Sequence, residues 1–182
     1  MSPESTPQSM PPAGAPETKS DAPLLERLLD EGYVPSGGRD AWHGPDFAAA
    51  IAGVDVATAF WRPAPGRHNI AEIALHHAYY QHAVRARLSS APIEPFPLEG
   101  DDWFPADEGG ALSWSAICDL CARLQRELKA TVRATAEGRD RSDLDAAGRF
   151  DQVLGVTAHA VYHAGQILLL RRLREADLAG LS

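Results

Sequence analysis

Two histidines, His159 and His163, lie four residues apart near the carboxyl end of the 182-residue chain. An apolar run with helical spacing surrounds them, and residues four apart in an α-helix lie on one face, one above the other. The apolar residues on that face direct both imidazoles towards the protein interior. Two imidazoles buried so close together disfavour protonation, whereas a neutral imidazole offers a lone pair to a divalent metal. The pattern therefore fits a metal site, although two hydrogen-bonded core histidines or a solvent-facing pair would give the same spacing.

A second histidine-rich segment could supply a third metal ligand. His76 lies three residues from both Ile73 and Tyr79, which are apolar, so it should share their inward side, and His77 competes one position round. Three histidines on facing helices leave coordination positions open, which is more typical of catalytic than of structural metal sites. The segment reads H-A-V-Y-H and lacks the glutamate of H-E-x-x-H, so we exclude the metalloprotease class.

Several other polar residues are candidates for catalysis. Gln166 lies on the same helical face as the histidine pair and could bond a ligand, a water molecule or a neighbouring backbone group. Tyr162, Tyr79 and His43 are candidate proton shuttles, although Tyr162 also fits a core position and His43 a loop hydrogen bond. Gly165 in mid-helix costs about 1 kcal/mol relative to alanine. Close approach of a facing helix, a ligand or a bulky neighbour would explain that glycine.

The two cysteines, Cys118 and Cys121, form a C-x-x-C pair. Such a pair can be redox-active or half of a metal site. Here it lies inside a helical pattern, and the chain contains no second pair. We therefore interpret both cysteines as core residues on a helix face.

Helices must position these residues. Apolar periodicity and capping signals predict four principal helices, over 23–33, 69–88, 113–136 and 150–176. A shorter helical stretch follows an N-cap aspartate over 46–54. No alternating strand pattern is present, so the predicted fold class is all-α, a four-helix bundle.

The remaining segments set the domain organisation. Residues 1–22 are rich in proline, serine and alanine and predict a disordered tail, which leaves 23–182 as one domain. The loop 89–112 contains four prolines and is long enough to be functional. It could cover a metal site or only connect two helices.

Composition narrows the function classes. The net charge is −8 and no lysine or arginine run is present, which argues against nucleic-acid binding. The first 22 residues lack the basic start and apolar region of a signal peptide. No apolar run is long enough to span a bilayer. We therefore expect a cytoplasmic protein without a membrane segment.

Four stretches of the chain resemble segments of the DinB-like superfamily in order and spacing. The most specific is HAVYHAGQILLLRRL (159–173), which is similar to the last-helix signature of that superfamily. The others are AWHGPDF (41–47), WRPAPGRHNIAEIALHHAYY (61–80) and DDWFP (101–105). The resemblance extends from about residue 24 to residue 173.

The resemblance implies a four-helix bundle with up-down-down-up connections and a homodimer. It also implies a divalent ion held by three histidines, commonly nickel or zinc, with iron or manganese as further options. By motif position these ligands are His76, His159 and His163. His77 then occupies a position where the family more often has an apolar residue.

The superfamily includes bacterial S-transferases that depend on low-molecular-weight thiols such as bacillithiol and mycothiol. The resemblance therefore implies an enzyme that joins such a thiol, as co-substrate, to a small electrophile. One alternative is a metal-dependent hydrolase, since a bound metal lowers the pKa of water to about 7. Another is a non-catalytic metal-binding stress-response protein.

Overall fold

Every regular element in the described part of the chain is α-helical. The computed structural model describes residues 20–35 and 40–181. Within these ranges the helices are α1 (Ala22–Tyr33), α2 (Phe47–Ile51), α3 (Val56–Phe60), α4 (Ile70–Leu88), α5 (Trp114–Ala136) and α6 (Ala146–Leu178). The all-α prediction is confirmed. Most of the predicted tail, residues 1–19, lies outside the described ranges, and α1 begins at the last residue assigned to that tail.

Side-chain caps fix where the helices begin. Asn69 and Glu72 form a capping box: the Asn69 side chain accepts from the backbone N–H of Glu72 at 2.8 Å, and the Glu72 carboxylate accepts from the backbone N–H of Asn69 at 3.3 Å. The Asp145 carboxylate caps α6 by accepting from the Gly148 N–H at 2.7 Å. The last helix therefore begins four residues earlier than the predicted 150. The short α3, capped by Asp55, was not predicted at all.

The four long helices contact one another in a ring. Helix α4 packs against α5 and α6, and α1 packs against the same two helices. The short α2 and α3 lie against α6 and α4 respectively. One apolar cluster occupies the half of the ring that holds α2, and its most deeply buried members include Phe47, Leu75, Ile117 and Ile167. A smaller cluster fills the other half, and its most deeply buried members include Leu88, Leu128 and Val153. Burial of these apolar side chains stabilises the ring.

Helix α6 is long and apolar enough, by length and composition alone, to cross a membrane. The expectation that no apolar run reaches that length was therefore wrong. In its most apolar 18-residue window 44% of the residues are buried inside the protein. One helix of this kind is weak evidence for a membrane protein, because the core helix of a soluble protein can have the same length and composition.

Candidate metal centre

Three imidazoles from two helices converge on one point. His76 on α4 and His159 and His163 on α6 each offer a nitrogen, and the three nitrogens lie within 4.8 Å of one another. The Nε2 atom of His159 is 3.2 Å from Nε2 of His76 and 3.0 Å from Nε2 of His163. No other group of three or more histidine, cysteine or acidic side chains with this geometry exists among residues 20–35 and 40–181.

Hydrogen bonds fix the proton on two of these rings. Nδ1 of His76 lies 2.8 Å from the backbone carbonyl oxygen of Asp102, which can only accept, so that Nδ1 carries the proton. Nδ1 of His163 donates to the Gln166 side-chain oxygen at 2.6 Å. The Nε2 atoms of His76 and His163 therefore each carry a lone pair, and the two lone pairs face the same space. A partner on the distal nitrogen that orients the lone pair is typical of histidines that bind metals.

The third ring, His159, is held by another histidine. Its Nδ1 lies 3.3 Å from Nδ1 of His77, a side chain with only 1% of its surface exposed. The His77 ring packs against Phe47, with ring centroids 4.2 Å apart. If His159 presents its Nε2 lone pair to a metal, its Nδ1–H donates to His77. The proton of His77 is then on Nε2, which is buried without a hydrogen-bond partner.

His77 and the three converging histidines all favour the neutral form. Burial, together with the neighbouring imidazoles, lowers the pKa of His159 to about 3. Burial lowers the pKa of His163 to about 4, against the opposing bond to Gln166. The pKa of His76 is lowered by burial, and that of the fully enclosed His77 is lowered strongly by burial and by the other rings. Near neutral pH the cluster therefore presents lone pairs and no positive charge.

The loop between α4 and α5 closes over the histidines. Trp103 is stacked between His68 and His76, with ring centroids 3.8 Å from each. Tyr80 lies 4.6 Å from the His159 ring centroid and donates its hydroxyl to the Asp102 carboxylate at 3.2 Å. None of Tyr80, Asp102 and Trp103 was predicted as a site residue. The signal for Asp102 and Trp103 was the DDWFP stretch of the family resemblance.

An ion pair between the buried Glu72 and the half-buried Arg62 anchors this loop one helical turn before His76. The Glu72 carboxylate takes two hydrogen bonds of 2.7 Å from the Arg62 guanidinium and one of 3.0 Å from His68. It also accepts from the backbone N–H of Ala106, and Asn69 donates to the Ala106 carbonyl oxygen at 2.7 Å. Burial alone would raise the pKa of Glu72, but these donors hold it below its ordinary value. The loop is thereby fixed where Asp102 and Trp103 can reach His76.

A cleft of about 270 Å³ between α4 and α6 reaches His159. Its walls include Tyr80, Val84 and Val156, and the exposed Arg87 lies at its edge. In the described part of the chain, Arg87 has no ion-pair partner. A larger cleft of about 570 Å³ lies between α1 and α5, and its lining contains none of the histidines. The smaller cleft is therefore the approach to the cluster for a small molecule.

The remaining candidate residues separate into two groups. Gln166 contacts His163 and also donates to the Tyr162 hydroxyl at 3.0 Å, so both belong to the surroundings of the cluster. Tyr162 is 64% exposed and not in the core. His43 instead bonds the Glu31 carbonyl oxygen on the surface, and Tyr79 packs among aromatic rings of the loop. Neither of these two contacts the cluster within the described residues.

The cysteines lie away from the cluster. Cys121 is fully buried and donates weakly to the Ala74 carbonyl oxygen, and Cys118 is half-buried. Burial raises the pKa of Cys118 to about 11 and raises that of Cys121 further. Neither thiol is a ready thiolate at neutral pH, which fits their interpretation as packing residues.

The donor set fits a divalent ion. Two nitrogens bound to one tetrahedral ion at about 2.0–2.1 Å lie about 3.3 Å apart. The Nε2 atom of His159 lies 3.0 and 3.2 Å from those of His163 and His76, close to that value. Neutral imidazole is a ligand of zinc, nickel, copper and iron, so this donor set does not by itself select one metal.

A comparison with known protein families gives a match. A sequence model of the DinB superfamily matches residues 40–167, a range that contains all three histidines and more than half of the chain. No curated protein and no solved structure matches the chain.

Proposed function

Because the chain belongs to the DinB superfamily, we propose that it is a metal-dependent enzyme and that His76, His159 and His163 hold its divalent ion. The reaction we propose is transfer of a low-molecular-weight thiol to a small electrophile. The observation that carries the proposal is the set of three neutral imidazoles, one of which, His159, lines a cleft. A purely structural ion is usually enclosed by four protein ligands. Here the described residues offer three.

A divalent ion bound at this site would lower the pKa of a coordinated thiol, which then reacts as the thiolate. The chain's own part is to hold the three Nε2 lone pairs in place through Asp102, Gln166 and His77. In the transfer, the thiol loses its proton to solvent and its sulfur forms a bond to the electrophilic carbon. The leaving group departs with the electron pair of the bond that breaks.

The cleft supports a small-molecule substrate. Its volume, about 270 Å³, lies near the lower end of the range for ligand sites. The unpaired guanidinium of Arg87 would favour an anionic group on either the thiol or the electrophile. Tyr80 and Val84 provide the apolar wall beside it.

Three further properties belong to this proposal. We infer the up-down-down-up helix order of the superfamily for the ring of α1, α4, α5 and α6. We place the enzyme in the cytoplasm, where thiols are kept reduced. Nickel and zinc are the metals we favour, because nitrogen sites generally bind them more tightly than iron or manganese, which come next.

Elemental analysis of untagged protein tests the metal, and a matched variant locates it. We expect nearly one equivalent of metal in the wild type and little in His159→Ala/His163→Ala, with full retention in His43→Ala. Thiol consumption with a panel of thiols and electrophiles should require the metal and be lost in the double variant. Absence of metal binding would end the metalloenzyme proposal. Metal binding that supports folding but no transfer, with unfolding on chelation, would favour a structural ion instead.

A further inference from the structure

The cleft between α1 and α5 takes no part in the proposed reaction, yet it has the size of a ligand site. Its volume of about 570 Å³ lies inside the range of about 300–1,000 Å³ that is typical of small-molecule sites. Such sites are mostly apolar, with a few polar groups that orient the ligand. The apolar part of this lining consists of Val34, Pro35, Ala48, Ile51 and Ala122. The polar part of the lining decides which class of molecule the cleft would take.

Tyr33 brings an unpartnered hydroxyl to this cleft. The residue lines the cleft and is only 7% exposed. Its ring is stacked against Phe47 and His77, with ring centroids 5.6 and 6.3 Å apart, so the position of the hydroxyl is fixed. A buried tyrosine hydroxyl normally has a hydrogen-bond partner, but this one has none among the described residues. A ligand in the cleft would supply that partner.

Gln125 and Arg126 add further free donors to the same lining. The Gln125 side-chain oxygen accepts from the Gln81 amide at 2.8 Å, which leaves the Gln125 amide N–H groups without a partner in the described ranges. Arg126 is exposed, and no described residue forms an ion pair or a hydrogen bond with its guanidinium. Its charge is near enough to Tyr33 to oppose the burial that raises the pKa of that hydroxyl. All three residues therefore offer donors to an oxygen acceptor.

The charge balance of the lining favours an anion. Its carboxylate, Asp30, accepts two hydrogen bonds from the Lys129 ammonium, at 2.7 and 2.8 Å, and this pair is neutral as a whole. Arg126 then leaves the lining with one positive charge, in a chain whose net charge is −8. A guanidinium matches a carboxylate with two parallel N–H groups, so a carboxylate is the anion that fits these donors best.

We propose that the α1–α5 cleft is a second small-molecule site and that it binds an amphipathic monocarboxylate. Arg126, Gln125 and the Tyr33 hydroxyl hold the carboxylate, and the apolar body of the ligand lies against the apolar lining. The site is separate from the metal centre, because none of the histidines lines this cleft. The inference therefore depends neither on the metal nor on thiol transfer.

Calorimetric titration of the full chain at neutral pH tests which ligand class the cleft binds. The probes are octanoate, octanol and octylammonium, which share one apolar chain and differ in charge. For a ligand of about ten non-hydrogen atoms we expect octanoate to bind with a dissociation constant on the order of 0.1 mM. Octanol should bind at least about tenfold more weakly, and octylammonium more weakly still. Equal binding of octanoate and octanol, or no binding of octanoate, would overturn the proposal.

Two conservative variants test the donors. Arg126→Met and Tyr33→Phe each remove a donor and keep the apolar bulk, so each should weaken octanoate about tenfold and leave octanol unchanged. A merely structural role of either residue would change the binding of both probes equally.

Arg123→Met is the matched control for the arginine. Arg123 lies on the same helix, does not line the α1–α5 cleft, and borders a neighbouring cleft of about 470 Å³ that Arg126 also borders. This variant should bind octanoate as the wild type does. A loss equal to that of Arg126→Met would assign the ligand to the neighbouring cleft and contradict the proposal.

The native thiol of Cys118 reports where the ligand binds. Cys118 is half-buried and lines the α1–α5 cleft, whereas Cys121 is fully buried. Burial raises the pKa of Cys118 to about 11, so iodoacetamide should alkylate it slowly in the folded protein. Octanoate should slow this alkylation, with half of the protection reached at the dissociation constant from calorimetry, and mass spectrometry identifies the modified cysteine. Octanoate that binds without protecting Cys118 lies elsewhere. A Cys118 that reacts only after unfolding in urea shows a cleft closed by another part of the chain, and either result would overturn the proposal.

Discussion

Helix α4 holds two buried polar clusters one turn apart, and they are built on opposite electrostatic principles. Glu72 is charged and surrounded by donors: Arg62, His68 and the backbone N–H of Ala106. Four residues later, His76 belongs to a group of histidines. Among the described residues, no charged side chain forms a hydrogen bond with the converging Nε2 atoms of this group. In the first cluster every carboxylate oxygen is bonded. In the second, the Nε2 atoms face one another across 3.0–3.2 Å.

This difference separates a structural cluster from a binding cluster. A buried charge that is fully paired needs nothing more, and it fixes the segments that supply its partners. Three neutral imidazoles that converge on one point can share few protons, and an added divalent cation can accept all of their lone pairs at once. The Glu72 cluster therefore holds the loop in place, and the histidine cluster is the site that the loop covers.

The largest expected effect comes from breaking the charged cluster. Arg62→Met leaves the Glu72 carboxylate buried without its cation and should lower the free energy of unfolding by about 3 kcal/mol. Urea unfolding of the chelator-treated protein measures this loss. Arg141→Met is the control, because Arg141 pairs with Asp143 at the surface, where the two side chains are 84% and 78% exposed, and it should leave the unfolding midpoint almost unchanged. Equal losses in the two variants would contradict the structural role of the Glu72 cluster.

The pH dependence of stability should separate the two clusters next. His159 and His163 have pKa values of about 3 and 4 in the folded chain, below the value of about 6.5 in an unfolded one. Between these values the unfolded state binds more protons, so the free energy of unfolding of the metal-free protein falls as pH decreases from about 6.5. The pKa of Glu72 is also lowered. Its contribution to the free energy of unfolding is therefore present above the ordinary carboxyl pKa and is lost only below about pH 4.

Urea midpoints measured from pH 7.5 to pH 3 should therefore show two successive declines. In His159→Leu/His163→Leu the decline above pH 4 should become shallower, while the decline at lower pH remains. An unchanged upper decline in that variant would show that these two histidines are not buried in their neutral form.

The sequence was sufficient for the parts of the molecule that depend on local spacing. Three features can be read within one turn or one helix: the i, i+4 pair of His159 and His163, the capping box at Asn69 and Glu72, and the apolar periodicity of α4 and α5. The family resemblance added His76 as the histidine of α4 that faces the pair, where spacing alone left His77 as a competitor. The structure brings His76 to the two Nε2 atoms and His77 to the opposite side of His159.

What the sequence could not supply depends on contacts between distant segments. Trp103 and Asp102 reach His76 only because Glu72 holds Ala106 of the same loop, and no periodicity connects a proline-rich loop to a helix face. The role of Tyr162 was equally hidden. Its type suggested a core position, but the burial of His163 on the neighbouring face turns Tyr162 outward.

The smallest effect we predict concerns His77, and it tests whether the histidine cluster has a supporting member. The ring nitrogens of His77 do not point at the space between the three Nε2 atoms. Among the described residues, however, Nδ1 of His77 is the only hydrogen-bond partner of Nδ1 of His159. His77→Leu should lower affinity for Zn²⁺ about 10- to 100-fold, as loss of a ligand's hydrogen-bond partner typically does. It should not lower the stability of the metal-free protein, because it also removes a buried and unpaired Nε2.

Competition with a chromophoric chelator measures the affinity, with His82→Leu as the control on the same helix. His77→Gln should recover part of the affinity, since its side-chain oxygen can accept from His159. If His77→Leu binds zinc as the wild type does, His77 is a packing residue and the cluster consists of three histidines alone. If His82→Leu weakens binding equally, the effect belongs to α4 as a whole. A loss of zinc affinity in His77→Leu alone, with recovery in His77→Gln, would show that His77 supports the cluster. The charged cluster would then fix the loop, and the neutral cluster would fix the direction of its own lone pairs.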